Sequence, residues 1–324
     1  MGGGPAPWGA LNGSSRRSTP GGDPGLYGPA SEAWRLNREA MLLLAAGPRA
    51  LLLQIAHPLV AEGVDQHGDF AADPWLRLRG TLRSYLAIVY GSTPRARAEI
   101  RRLNALHRGI AGPVRDAGAR ERHGPGYSAR DPELSLWVHA TLVDSTLVAA
   151  EAWLGPLSRD RRERFYAETR PIARAFGVPE GLLPPDLKTF EAYLAAMLGP
   201  TGPLRISATA RRLALHVLQP PLGPVAPWLG WLPAPAYAWT MWPAVGLLPP
   251  SVRDGYGLRW GPIERSVSRW LVGGFRLWRP WLPPGLRWMP QARAADRRMT
   301  RAPRPSRVAV SRVAGTEART GERG

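Results

Sequence analysis

DPELSLWVHATLVDSTLVAAEAWL, residues 131–154, is the stretch on which the fold turns. Asp131-Pro132 makes a helix opening: the aspartate caps a free N–H, and proline at the first helical position gives up an N–H that has no partner there. A long apolar helix then runs through Trp137, His139, Leu142 and Leu147 to about Trp153, with no glycine or proline inside it.

Working outward, the same punctuation recurs. Ser31 caps a helix carrying Trp34, Leu36, Met41 and Leu44, and Gly47-Pro48 is expected to break it and open the next. That next helix carries Leu51 to Ile55. His57 precedes Pro58 and is therefore biased out of helical geometry, which predicts a kink or restart there. Asp73-Pro74 starts a helix to about Tyr90, ended by Gly91, and Thr93-Pro94 starts another that ends near Gly112. Ser158, Asp186 and Ser207 cap three more, while residues 113–129 read as a Gly/Arg-rich loop. No β alternation interrupts Ser31 to Gly199, so the expected fold class is all-α, with helices packed around one core. A last helix spans about Gly261 to Trp278.

The ends and one internal segment differ in composition. Residues 1–30 are Gly/Pro/Ser-rich and read as a disordered leader, and 299–324 as a disordered basic tail, leaving 31–298 as the helical domain. Residues 219–250 are rich in Pro, Trp and Leu and carry no charge. They read as a hydrophobic wrap over the core, or as a patch facing an apolar substrate or making peripheral contact with a membrane.

Composition closes several functional classes. With no cysteine among 324 residues, disulfides, thiolate zinc sites, iron–sulfur clusters and thiol catalysis are excluded. The net charge of +18 is almost all arginine, since Lys188 is the lone lysine. The arginines are spread through the chain, and no nucleic-acid motif accompanies them, so no nucleic-acid partner is expected. There is no apolar signal core and no clean run of about 20 apolar residues, so a cytoplasmic location, with membrane association left open, is the expectation. Triad, P-loop and dinucleotide signatures are also missing.

Three groups of residues carry candidate chemistry. LLLQIAHPLVAEGVDQHGDF, residues 51–70, is the densest cluster of ligand-type side chains: His57, His67 and Asp69 offer a two-histidine, one-carboxylate set for non-haem iron. Its usual carrier is a β-barrel, which an all-α chain does not supply. In RLRGTLRSYL, residues 77–86, Arg77 and Thr81 share a helix face as a charged fork and a hydroxyl. In RRLNALHRGIAG, residues 101–112, His107 lies on the apolar side of its helix. It reads either as a satisfied core histidine or as an axial ligand to haem, and His139 shares the ambiguity.

The succession REAMLLLAAGPRALLLQIAHPLVAEGVDQHGDFAADPWLRLRGTLRSYLAIVYG, then LHRGIAG, then YSARDPELSLWVHATLVDS, resembles the DUF2236 family over roughly residues 31–290. This is the oxygenase family of the fungal MpaB enzymes and the bacterial latex-clearing protein, a rubber oxygenase. The resemblance implies an all-α, globin-like bundle around one haem b. It implies His107 as the proximal iron ligand, with Arg77 and Thr81 on the distal or propionate side. His57 would stand near the pocket wall, and His139 in reserve as ligand. The family's distal lysine has no counterpart here, because Gly80 takes its place. That departure implies a distal position open to water, oxygen or another side chain. The implied partners are O₂ and an apolar substrate, a terpenoid-like or long-chain alkene molecule or a polymer.

Overall fold

The computed structural model describes residues 22–68, 74–218 and 241–300, and for 74–78 the backbone without side chains. Most of the region read as a Pro/Trp wrap, 219–240, lies outside the described residues. The described chain is almost entirely helical: α1 (Glu32–Asn37), α2 (Ala40–Ala56), α3 (Pro58–His67), α4 (Pro74–Tyr90), α5 (Thr93–His107), α6 (Ala117–His123), α7 (Pro132–Leu154), α8 (Arg159–Ala175), α9 (Leu187–Leu198) and α10 (Ala208–Leu218). After them come Pro250–Gly255, Pro262–Trp278, Pro284–Arg287 and Pro290–Thr300. The all-α expectation holds.

The quoted stretch is the axis of this fold. α7 is 23 residues long, capped by the Asp131 carboxylate accepting from the Glu133 N–H, and it is buried on several sides. It packs chiefly against α2, and α8, α9 and α10 complete the main core around Trp137, Phe165, Tyr166 and Phe190. A helix apolar on most of its surface has to be enclosed by others. Two polar contacts set the register of α2 on α7. The Trp137 indole N–H donates to the Leu53 carbonyl at 3.2 Å. The buried Arg49 guanidinium lies 2.7 Å from Asp144, donates to Ser145 Oγ at 2.8 Å, and reaches the Leu247 carbonyl at 2.8 Å.

Most predicted starts are where the caps put them. Ser31, Ser158, Asp186 and Ser207 each accept from a backbone N–H of the turn that follows. The kink at His57 is present: α2 and α3 meet there at 105°, with His57 extended between them. The expected break at Gly47-Pro48 is not where the chain breaks. α2 runs straight through Pro48, and the interruption falls at Arg38–Glu39. Pro48 leaves the Leu44 carbonyl without its N–H, but Leu44 is on the exposed side. On the other side Leu42, Ala45, Arg49, Leu52 and Leu53 are buried, and their packing outweighs the lost bond.

The Gly/Arg-rich loop holds more structure than expected. β1 (Ala111–Pro113) pairs antiparallel with β2 (Gly126–Ser128), and α6 lies between them under an Asp116 cap. Upstream of residue 31, Asp23 accepts from the Gly25 N–H and caps α5 through the Thr93 N–H at 2.7 Å. Gly25 has φ +76°, and a Cβ on it would collide with the Gly91 carbonyl oxygen. Only glycine allows the two backbones to meet there.

Candidate active site

α4 and α5 form an antiparallel hairpin closed at Gly91-Ser92. Arg102 on α5 donates to Ser84 Oγ on α4 at 3.0 Å, which fixes the pairing level. Continuing away from the turn, the first half of α4, with the backbone of Arg77 and with Thr81, runs alongside the last turn of α5. That turn ends in His107. The two sequence segments singled out for chemistry are therefore brought to one end of one hairpin.

His107 continues the Ile100–Leu103 stripe of α5, the side that meets α8. Its ring packs against Phe176 with centroids 6.2 Å apart. Asn104, one turn back, donates to the Ala175 carbonyl at 2.8 Å and pins the end of α5 to the end of α8. His107 is half-buried, and burial lowers its pKa, which favours the neutral imidazole. Around it is a cleft of about 410 Å³ lined by Asn104, His107, Arg108, Arg130, Arg174 and Phe176, among others. The arginines make its rim cationic. Arg174 is partly engaged by Glu180 at 3.2 Å.

His139 is fully inside α7's packing. Its Nε2 has no hydrogen-bond partner, and desolvation pushes its pKa down to about 4. Two turns on along the same helix face, the Thr146 hydroxyl donates to the Leu142 carbonyl at 2.8 Å and lies near Tyr85 of α4, whose own hydroxyl donates to Asn37. His57 is also buried, with Nδ1 unpartnered and its pKa lowered to about 4 by desolvation and by His123. The His57 and His123 rings are 5.3 Å apart.

The remaining candidates sort by position. Thr81 and Gly80 are exposed on α4, and the Arg77 side chain lies outside the described residues, as does Asp69. His67 is exposed at the end of α3, where its Nε2 meets the Ala111 carbonyl at 3.1 Å. His57 and His67 bracket the ten residues of α3, a separation of about 15 Å at 1.5 Å per residue. They cannot bind one ion together, which corrects the reading of residues 51–70 as a non-haem iron site. No group of three or more metal-binding side chains occurs among the described residues.

A model of the ER-bound oxygenase mpaB/B′/rubber oxygenase catalytic domain matches residues 34–282. The chain belongs to this family. Two uncharacterized proteins, from Mycobacterium bovis and Mycobacterium tuberculosis, are each 29% identical over 242 residues, covering 73% of this chain and 88% of their own. No solved structure matches. The MpaB/rubber-oxygenase match spans α2 to α10 and so includes every candidate residue above. Its general activity, oxygenation, is that of an enzyme acting with O₂.

Within this MpaB/rubber-oxygenase domain, sequence reading missed His123 and the arginine rim. His123 closes α6, which the run of glycines and arginines disguised as loop; Asp116 three positions before Ala119 was its signal. Arg108, Arg130 and Arg174 come from three separate elements, and nothing in their spacing announces that they meet.

Proposed function

We propose that this chain is a haem b-dependent oxygenase that uses O₂ on a carbon–carbon double bond of an apolar, terpenoid-like or long-chain alkene substrate. The observation that carries this reading is His107: a neutral imidazole at the head of a cleft rimmed by arginines, at the end of the α4–α5 hairpin. The donor set suits the cofactor. A neutral histidine is the form that coordinates iron. Arg108, Arg130 and Arg174 offer charge-assisted donors of the kind that haem propionates accept. The haem, when bound, supplies the binding and activation of O₂.

The protein's own groups would do the rest. Phe176 against the imidazole restricts its rotation, and the Asn104–Ala175 bond holds the helix end that carries it. Pro132, Ala175 and Phe176 supply the apolar part of the cleft wall, while Leu82 and Leu103 pack into the hairpin's own hydrophobic clusters beside it. Thr81 offers a hydroxyl and Arg77 a guanidinium on the first half of α4, for hydrogen bonding to oxygen species or carboxylates. Gly80 leaves open space where the family's lysine would stand.

His139 is the reserve ligand, since its buried Nε2 lacks any partner. Reconstituting the purified full chain with haemin and recording its absorption and pyridine haemochrome spectra tests both assignments. His107→Ala is expected to lose the Soret band and His139→Ala to keep it. The reverse result transfers the ligand role to His139, and no haem uptake by the wild type ends the haem reading. A non-catalytic haem- or lipid-binding role at a membrane surface is the competing reading, motivated by the uncharged Pro/Trp-rich sequence of residues 219–250 and the basic balance of the chain. Oxygen consumption on an alkene panel separates the two.

A further inference from the structure

The helix Pro262–Trp278 has no buried residue. Ile263, Trp270 and Leu277 are spaced seven apart, so they lie one above the other on a single face. All three are exposed, Trp270 at 76%. Trp278, Trp281 (80% exposed) and Leu286 extend the exposed apolar series beyond the helix end. Exposed apolar residues scattered singly are ordinary, whereas a lengthwise stripe of them has a use. The opposite flank of the helix is inward: Phe275 stacks edge-on against Trp153 at 5.4 Å, and Arg276 donates to the Glu151 carbonyl.

The segment is also basic. Between residues 262 and 287 there are five arginines and a single acid, Glu264. Arg279 and Arg287 turn inward to the buried Glu39, at 2.9 and 3.4 Å, which anchors the segment to the body of the protein. Arg265 and Arg269 instead meet the Trp260 carbonyl and Ser266 Oγ. Along with Arg276, they form no ion pair with a carboxylate among the described residues.

We propose that residues 262–287 form an interfacial docking surface for an anionic lipid bilayer. Trp270, Trp278, Trp281 and Leu277 enter the headgroup boundary, while Arg265 and Arg269 meet lipid phosphates. A helix with aromatic and aliphatic residues on one side and arginines on another lies in the plane of such an interface. The unneutralised arginines select an anionic surface over a neutral one, and over an ordinary apolar protein patch. Docking here is peripheral: no single helix among the described residues is long and apolar enough to cross a membrane. The surface is independent of the haem assignment, and a lipophilic substrate dissolved in the bilayer gives it a purpose in an oxygenase.

The test is flotation of the full chain with phosphatidylcholine vesicles, with and without phosphatidylglycerol, at low and high salt. The wild type is expected to float with the anionic vesicles only, and less at high salt. Trp270→Ser/Trp278→Ser/Trp281→Ser should weaken binding by more than about tenfold. Arg265→Ser/Arg269→Ser should weaken it by about fivefold per arginine. Leu215→Ser, an exposed apolar change elsewhere, should leave binding unchanged, and circular dichroism checks that each variant is folded. Failure of the wild type to float overturns the proposal. So does a folded tryptophan variant that floats like the wild type, which moves the contact to another segment. Concentration-dependent dimerisation in ultracentrifugation, abolished by the tryptophan changes and without vesicle binding, assigns the face to a second copy and overturns it also.

Discussion

The imidazoles of His57, buried, and His123, half-buried, lie side by side, 5.3 Å between centroids and tilted by 43°, each with a buried ring nitrogen that has no hydrogen-bond partner. Neither can take a proton cheaply. Burial disfavours the charged form, and a charge on one ring would disfavour a charge on the other.

Acid should therefore unfold this protein early. The folded-state pKa values of His57 and His139 are lowered from 6.5 to about 4. A depressed folded pKa means that the unfolded state takes up the proton first. The stability is intact above pH 6.5 and is lost as pH falls from there toward 4. The expected slope is about 1.4 kcal/mol per pH unit for each histidine. Urea denaturation across that range measures it, and His139→Leu should remove one histidine's share. A flat profile would mean that these rings are solvated or hydrogen-bonded.

Arg49 and Asp144 lock α2 to α7. Arg49→Leu strands the partly buried carboxylate and is expected to cost about 3 kcal/mol, because the desolvated charge loses its partner. Arg49→Leu/Asp144→Leu should recover much of that loss. A double-mutant cycle by chemical denaturation decides it. Equal, additive losses would show that the two side chains act separately.

Gly80 is exposed in the middle of α4, and a Cβ there would meet nothing within 4 Å. Gly80→Ala should raise stability by up to about 1 kcal/mol, since glycine loses the most backbone freedom in a helix. A rise in melting temperature checks it. A fall would show that the position needs its bare backbone, as an approach route to the cleft would require.

The arginine rim should hold the cofactor and leave its ligand alone. Arg130→Ala/Arg174→Ala is expected to speed haem loss to an acceptor protein several-fold while the Soret maximum stays in place. A displaced maximum would instead put an arginine in contact with the iron's own surroundings. Unchanged haem retention would place the propionates elsewhere.

Much of the fold is legible in the chain because it is written locally. Ser31, Asp131, Ser158 and Asp186 start helices by bonding N–H groups two or three residues away, and His57-Pro58 kinks the chain by a clash with its neighbour. Pro48 shows the limit. Its local preference is to break a helix, and the burial of Leu42, Leu52 and Leu53 against α7 overrides it. His123 shows another: a short helix between two three-residue strands is stable through contacts that its own sequence does not display.

The sequence by itself determined the helical class, most helix starts, and the order of blocks that marks an MpaB/rubber-oxygenase domain. Only the tertiary structure decided which side chains meet. It separated His57 from His67 by the length of a helix, and it drew Arg108, Arg130 and Arg174 around His107 from three elements. It also paired His57 with His123, and left Trp270 and Trp281 facing outward. The reason is one of range. Capping and backbone sterics act over a few residues and can be read from neighbours in the chain. Burial and pKa depend on what the whole fold packs around a side chain.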